Sequence, residues 1–186
     1  MIVRREMGVS TNIAGFKIGD KIFVEPQGYG MFKATLQNFD QEDKNIGIFM
    51  FDCCVDYCYN RNDCDRTLEL VHKEFPEELK PRLKSVDLPT IGMIFGHDSS
   101  EYKRWAEPDN DSRFLLMRDR HNRIVVDNID ADDSPMCYWL KNREKRVEET
   151  YSYAVNYLGN LESIYYRSTN ATIGIRPVFS MDISNL

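Results

Sequence analysis

Gly174-Ile175-Arg176-Pro177-Val178-Phe179 sets one guanidinium in an otherwise apolar run, and its reading governs the fold. Ile, Val and Phe fit a pleated, half-buried surface, so residues 173–181 are expected to form a strand. An Arg among such neighbours is a buried Arg, and a buried guanidinium has to be paired and hydrogen-bonded. A carboxylate or several carbonyls are expected around it. Arg176 then either pins loops to the core or contacts a ligand. Arg176→Leu separates the two: loss of folding marks the first, loss of binding alone the second.

Outward from that run, residues 151–158 and 163–166 read as further strands. Tyr138-Trp139-Leu140 reads as a short aromatic strand, with residues 141–150 charged and exposed. At the other end, residues 1–15 form an arm of mixed character. Residues 16–25 read as a strand through Ile18, Ile22 and Val24, broken by Pro26, Gly28 and Gly30. Residues 31–39 alternate, with Phe32, Ala34, Leu36 and Phe39 on or near one face. A turn at 40–45 leads to an apolar strand at 46–51, and the three strands make an antiparallel meander.

Residues 52–65 are irregular. Leu68, Val71 and Phe75 give helical spacing over 66–75, with Asp65 or Thr67 as cap. Pro76-Glu77-Glu78 opens a short helix to Leu83, and Asp87-Leu88-Pro89 a third, ending near Gly96. A polar loop covers 97–112. Residues 113–117 and 123–126 read as a hairpin across 119–122, followed by an acidic loop at 128–135. Strands, then helices, then loops and short strands argue for an α+β fold, with residues 16–186 as a single domain.

The 186-residue chain is 42% apolar and 29% charged, which is ordinary for one globular domain. Its ten Tyr, ten Phe and two Trp suit strands and an aromatic core. The net charge of -6, with the basic cluster at 141–146 followed at once by Glu148 and Glu149, opposes binding to a phosphate backbone. No apolar run approaches the roughly 20 residues that span a bilayer, so no membrane is expected. Residues 1–7 lack the apolar core of a signal peptide. Synthesis in the cytosol is expected, with a virus particle as one destination. The five Cys, two of them adjacent, make a poor disulfide framework, and reduced thiols are the simpler reading.

Tyr138-Trp139-Leu140-Lys141, then residues 151–159, then Gly174-Ile175-Arg176-Pro177 resemble a family of bacterial and phage domains of unknown function. That family carries an aromatic-Trp-Leu-Arg-Ser motif, a strand-turn-strand with Gly, and Gly-Val-Arg-Pro near its end. Ile18-Gly19-Asp20, residues 46–51 with Tyr59-Asn60, Phe75-Pro76-Glu77-Glu78 and residues 88–95 resemble its other segments, so the likeness covers residues 16–183. Lys141 and Asn142 depart from the family's Arg and Ser, and the helix after Cys64 lacks its Arg-x-Trp-Leu.

The resemblance implies a C-type-lectin-like fold, related to the formylglycine-generating enzymes. Trp139, Arg176 and Pro177 would then meet in the core beneath the loops. Calcium is an expectation to weigh in such a fold, at Glu107-Pro108-Asp109-Asn110-Asp111 or at the acidic loop through Asp130, Asp132 and Asp133. Solvated acidic loops are the favoured reading of both. Cys53, Cys54, Cys58 and Cys64, with His72, offer zinc only one paired spacing, and free thiols are favoured. Late in the chain only Cys137 is present, against the Cys pair of the oxidases, and His72, His97 and His121 lack a catalytic context.

A non-enzyme without metal or cofactor is therefore expected: a lectin-like module that recognises a glycan or protein through its loops. Tyr102, Trp105, Asn110, Tyr165, Tyr166, Arg167 and Asn170 are its candidate contacts, since Tyr and Asn combine area with adaptable hydrogen bonding. Two alternatives stand beside it. One is a structural virion component, a decoration, fibre or tail-associated protein that oligomerises with its neighbours. The other is an intracellular regulator that binds a protein through its acidic surface.

Overall fold

The computed structural model describes residues 15–28, 30–59, 61, 63–97, 106–126, 134–144, 151–165 (Tyr165 by its backbone), 172–184 and 186. Of the expected arm at 1–15 and acidic loop at 128–135, residues 1–14 and 128–133 lie outside the described residues, and Pro135 opens a strand.

β1 (Lys21–Val24), β2 (Phe32–Phe39) and β3 (Ile46–Phe51) form the antiparallel meander. The first strand is shorter than its apolar pattern, because Gly19 takes a positive φ of 97° and turns the chain. The turn before β3 is held by Asp40, whose Oδ1 accepts from the amides of Glu42 and Asp43. β5 (Leu83–Asp87) and β12 (Val178–Asp182) extend the sheet to five strands in the order β1-β2-β3-β12-β5. A second five-stranded sheet runs β10 (Leu161–Tyr165), β9 (Tyr151–Val155), β8 (Tyr138–Arg143), β11 (Ile173–Ile175), β4 (Asp56–Cys58). Its only parallel pairing among the described residues is β11 with β8. β6 (Val125–Val126) and β7 (Pro135–Met136) pair separately. The fold is α+β and mostly antiparallel.

The stretch at 173–181 is two strands rather than one. β11 belongs to the second sheet and β12 to the first, and Arg176-Pro177 is the crossing between them. Pro has no amide hydrogen to give a ladder. Its carbonyl serves here, accepting from the Phe51 amide at 3.1 Å.

Two apolar layers result. Phe16, Phe49, Phe51, Phe75, Trp139 and Phe179 belong to the larger, where the Phe49 and Phe179 rings stack with centroids 5.4 Å apart. Met50, Ile94, Phe114, Tyr138, Leu140 and Val178 belong to the second. Side chains alternate faces along a strand, so β3, β8 and β12 each feed both layers. Burial on both faces explains why these strands read as unbroken apolar runs.

Among the described residues, two α-helices flank the sheets. α1 (Asp63–Lys73) buries Cys64, Leu68 and Val71, spaced i, i+4, i+7, and starts ahead of both expected caps, two residues before Asp65 and four before Thr67. Asp63 and Asp65 in its first turn and Lys73 in its last suit the helix dipole. The expected helix at 76–83 is reduced to a 3-10 turn, Lys80–Arg82, and the residues after it pair with β12 as a strand. α2 (Ile91–Phe95) is capped by Thr90 Oγ1, which accepts from the Met93 amide at 3.2 Å, and ends at Gly96 with φ 74°. The expected hairpin over 113–126 is absent. Two 3-10 turns, Leu116–Arg118 and Arg120–Arg123, occupy most of it, and β6 finds its partner beyond residue 133. No described helix is long and apolar enough to cross a membrane.

Candidate functional site

Arg176 leaves the sheet crossing only 4% exposed. Its Nε donates to the Phe51 carbonyl at 2.8 Å, and its Nη1 to the Asn122 carbonyl at 3.3 Å and the Tyr138 hydroxyl at 3.5 Å. The guanidinium carbon lies 5.2 Å from the centre of the Tyr138 ring. Burial raises the Tyr138 phenol above its usual range, and the Arg176 charge works against that rise. Carbonyls and a phenol therefore surround Arg176, and no carboxylate of the described residues is among its hydrogen-bond partners. The link to Asn122 ties a 3-10 turn to the core, while Nη2 makes no hydrogen bond to the described residues.

Nη2 belongs to a side chain that lines a cleft of about 370 Å³, together with Lys21, Thr35, Gln37, Asp52 and His121. The β2 face opposite the core builds much of this wall. Ala34 and Leu36 enter the larger apolar layer, so Thr35 and Gln37 point the other way. The β2–β3 register slips between Leu36 and Asn38, which puts Gln37 in a bulge. A bulge re-aims a side chain that regular pairing would fix. Gln37 is 2% exposed. Its Nε2 reaches the Thr35 carbonyl at 3.4 Å, and its Oε1 has no partner among the described residues. Asp52 is fully engaged: Oδ2 pairs with Lys21 Nζ at 2.8 Å and Oδ1 accepts from the Thr35 hydroxyl.

A second polar cluster lies at the start of α2. Asn142, 4% exposed, accepts from the Ile91 amide at 2.7 Å and donates to the Glu107 carbonyl and to Asp109 Oδ2. Asp109 also accepts from the amides of Gly92 and Asp111. Asp111 Oδ2 accepts from the Thr90 hydroxyl at 2.7 Å. The carboxylates at 107–111 that suggested calcium are thus bonded to the protein's own donors. Residues 141–143, expected to be exposed, are strand, and Asn142 is the hub of this cluster. A Cβ at Gly92 would collide with the Asp109 carboxylate and the Asp111 carbonyl.

The sequence candidates separate accordingly. Tyr102, Trp105, Tyr166, Arg167 and Asn170 lie outside the described residues, as does the side chain of Tyr165, whose backbone ends β10. Asn110 is exposed between the engaged Asp109 and Asp111. Trp139 is fully buried and Pro177 is buried. Among the described residues no three of His, Cys, Asp and Glu are grouped to hold a metal ion. Gln37 and Asn142 were missed. Each sits beside other polar residues of its strand, Asn38 after Gln37 and Lys141 and Arg143 around Asn142, so the local pattern marks neither as buried.

No family model, curated protein or solved structure matches this chain. Fold and site define an α+β domain with a polar cleft at the point where the chain changes sheets.

Proposed function

We propose that this chain is a non-catalytic binding module of the C-type-lectin-like class that takes a saccharide in the Arg176 cleft. The observation that carries the reading is the buried acceptor Gln37 Oε1, unpartnered among the described residues, on a side chain that lines the same cleft as Arg176. A buried polar atom left unbonded costs about 1–3 kcal/mol, and a ligand that bonds Gln37 Oε1 recovers it. Adjacent sugar hydroxyls offer a donor and an acceptor side by side. The cleft volume, about 370 Å³, falls at the small end of ligand pockets. Asp52, with both oxygens bonded, serves the wall as a structural group rather than as a poised base.

Titration of isotope-labelled protein with a panel of neutral, amino and acidic monosaccharides tests the reading. At least one sugar should shift the amide resonances of residues 35–37 and 121–122 with a Kd near or below about 1 mM. Shifts confined to other loops, or none across the panel, would remove the cleft from consideration.

A further inference from the structure

Cys58, the last residue of β4, and Cys64, the second residue of α1, bring their sulfurs to 2.7 Å. Neither is in a disulfide. A disulfide bond is about 2.05 Å long, so less than about 1 Å of sulfur movement separates contact from bond. The pair is built rather than incidental. The intervening turn is fixed by Arg61, 5% exposed, whose Nε donates to the Leu140 carbonyl and whose Nη1 pairs with Asp65 at 2.8 Å. The Cys64 amide donates to the Arg61 carbonyl, which brings the start of α1 back over β4.

We propose that Cys58 and Cys64 are a reversible thiol–disulfide site that exchanges with low-molecular-weight disulfides.

The two sulfurs have different tasks. The hydrogen bond from Cys64 lowers the Cys58 thiol below its usual range; burial opposes this, and the indole N–H of Trp139 assists it. That N–H has no other acceptor in bonding geometry, so a thiolate at Cys58 gives it one. The same Cys64–Cys58 hydrogen bond, with burial, raises Cys64. Cys58 is also the more accessible, 7% exposed against 0% for Cys64, and lies on the edge strand of its sheet. Exchange therefore begins at Cys58. Its thiolate attacks one sulfur of the small disulfide and expels the other as thiolate. Cys64 gives up its proton, its sulfur attacks the Cys58 sulfur, and the second small thiolate leaves. The protein loses two hydrogens and two electrons, and one small disulfide becomes two thiols.

The bond would tie α1 to β4, whose Cys58 is in register with Ile173 of β11, the strand that leads into Arg176. The folded chain should be equilibrated in glutathione buffers of graded ratio, quenched with acid, alkylated in denaturant and weighed. Fully reduced protein takes up five labels. In oxidising buffer a species with three should accumulate, its peptide map should join Cys58 to Cys64, and reduced buffer should restore five. Cys64→Ser should stop at a mixed disulfide on Cys58, adding one glutathione. Five labels in every buffer would overturn the site, and so would a bond mapped to Cys53, Cys54 or Cys137. These readouts use the wild-type chain first, so they stand even if the variant does not fold, and they do not depend on the saccharide cleft.

Discussion

The two polar clusters of this chain differ in one respect. Around Asn142, every hydrogen-bonding group named above meets a partner inside the protein: Thr90, Ile91, Gly92, Glu107, Asp109 and Asp111 close on one another. In the Arg176 cleft, the wall holds one buried acceptor, Gln37 Oε1, that nothing in the described structure satisfies. A closed network rigidifies and specifies a fold, while an open one keeps a desolvation cost that only something from outside relieves. Acidic residues at 107–111 attract attention in the sequence and prove to be a latch. Gln37 attracts none, and stands at the orphaned end of the cleft.

Asn142→Leu should break the latch most severely. It strands the buried Ile91 amide and leaves the Asp109 carboxylate short of a donor, for a loss of about 3 kcal/mol or more in urea unfolding. A loss under about 1 kcal/mol would mean that water replaces Asn142 without difficulty. Gly92→Ala, by forcing a methyl against Asp109 and Asp111, should cost about 2 kcal/mol; if its stability is unchanged, the close approach is relaxed in solution.

Arg176→Leu touches both halves of the comparison. It deprives the Phe51 and Asn122 carbonyls of their donor and should cost about 2 kcal/mol, together with saccharide-induced shifts. Retained shifts in a folded Arg176→Leu would confine Arg176 to a structural task. Gln37→Leu draws the sharpest line. Removing an unbonded acceptor should leave stability within about 1 kcal/mol of wild type, or raise it, while weakening the sugar about tenfold. Destabilisation with unaltered binding would make Gln37 part of the core and not of the site.

The smallest expected effect is acid dependence at the Asp40 turn. The Asp43 and Glu42 amides hold its carboxyl below the usual range. A depressed folded value contributes stability at pH above the unfolded value, about 3.9, and loses it as pH falls through the lower folded value. Asp40→Ala should therefore be slightly less stable than wild type at neutral pH. The two should converge as pH falls through and below the folded value, as followed by thermal melts. A gap that persisted in acid would assign the loss to the turn itself and not to its charge.

Much of the architecture was legible. The meander over 21–51 follows from three apolar strands with Gly and Asp between them, and α1 from its 3.6-residue period. The stop of α2 at Gly96 was legible, but its start was not: Asp87 ends β5, and Thr90 rather than Asp87-Leu88-Pro89 opens the helix. The hairpin over 113–126 was misread because local alternation competed with long-range pairing, and β6 met its partner beyond residue 133. Residues 83–87 carry little alternation and became a strand because β12 offered them an edge.

Sequence alone determined the antiparallel meander, the helical period of α1, and the need for partners around Arg176. These follow from side-chain chemistry and local period. Only the tertiary structure decided that Arg176-Pro177 changes sheets, that Asn142 closes a network while Gln37 is left open, and that two sulfurs six residues apart meet beneath Trp139. Each depends on which distant backbone group arrives beside a given side chain, and local pattern carries no record of that.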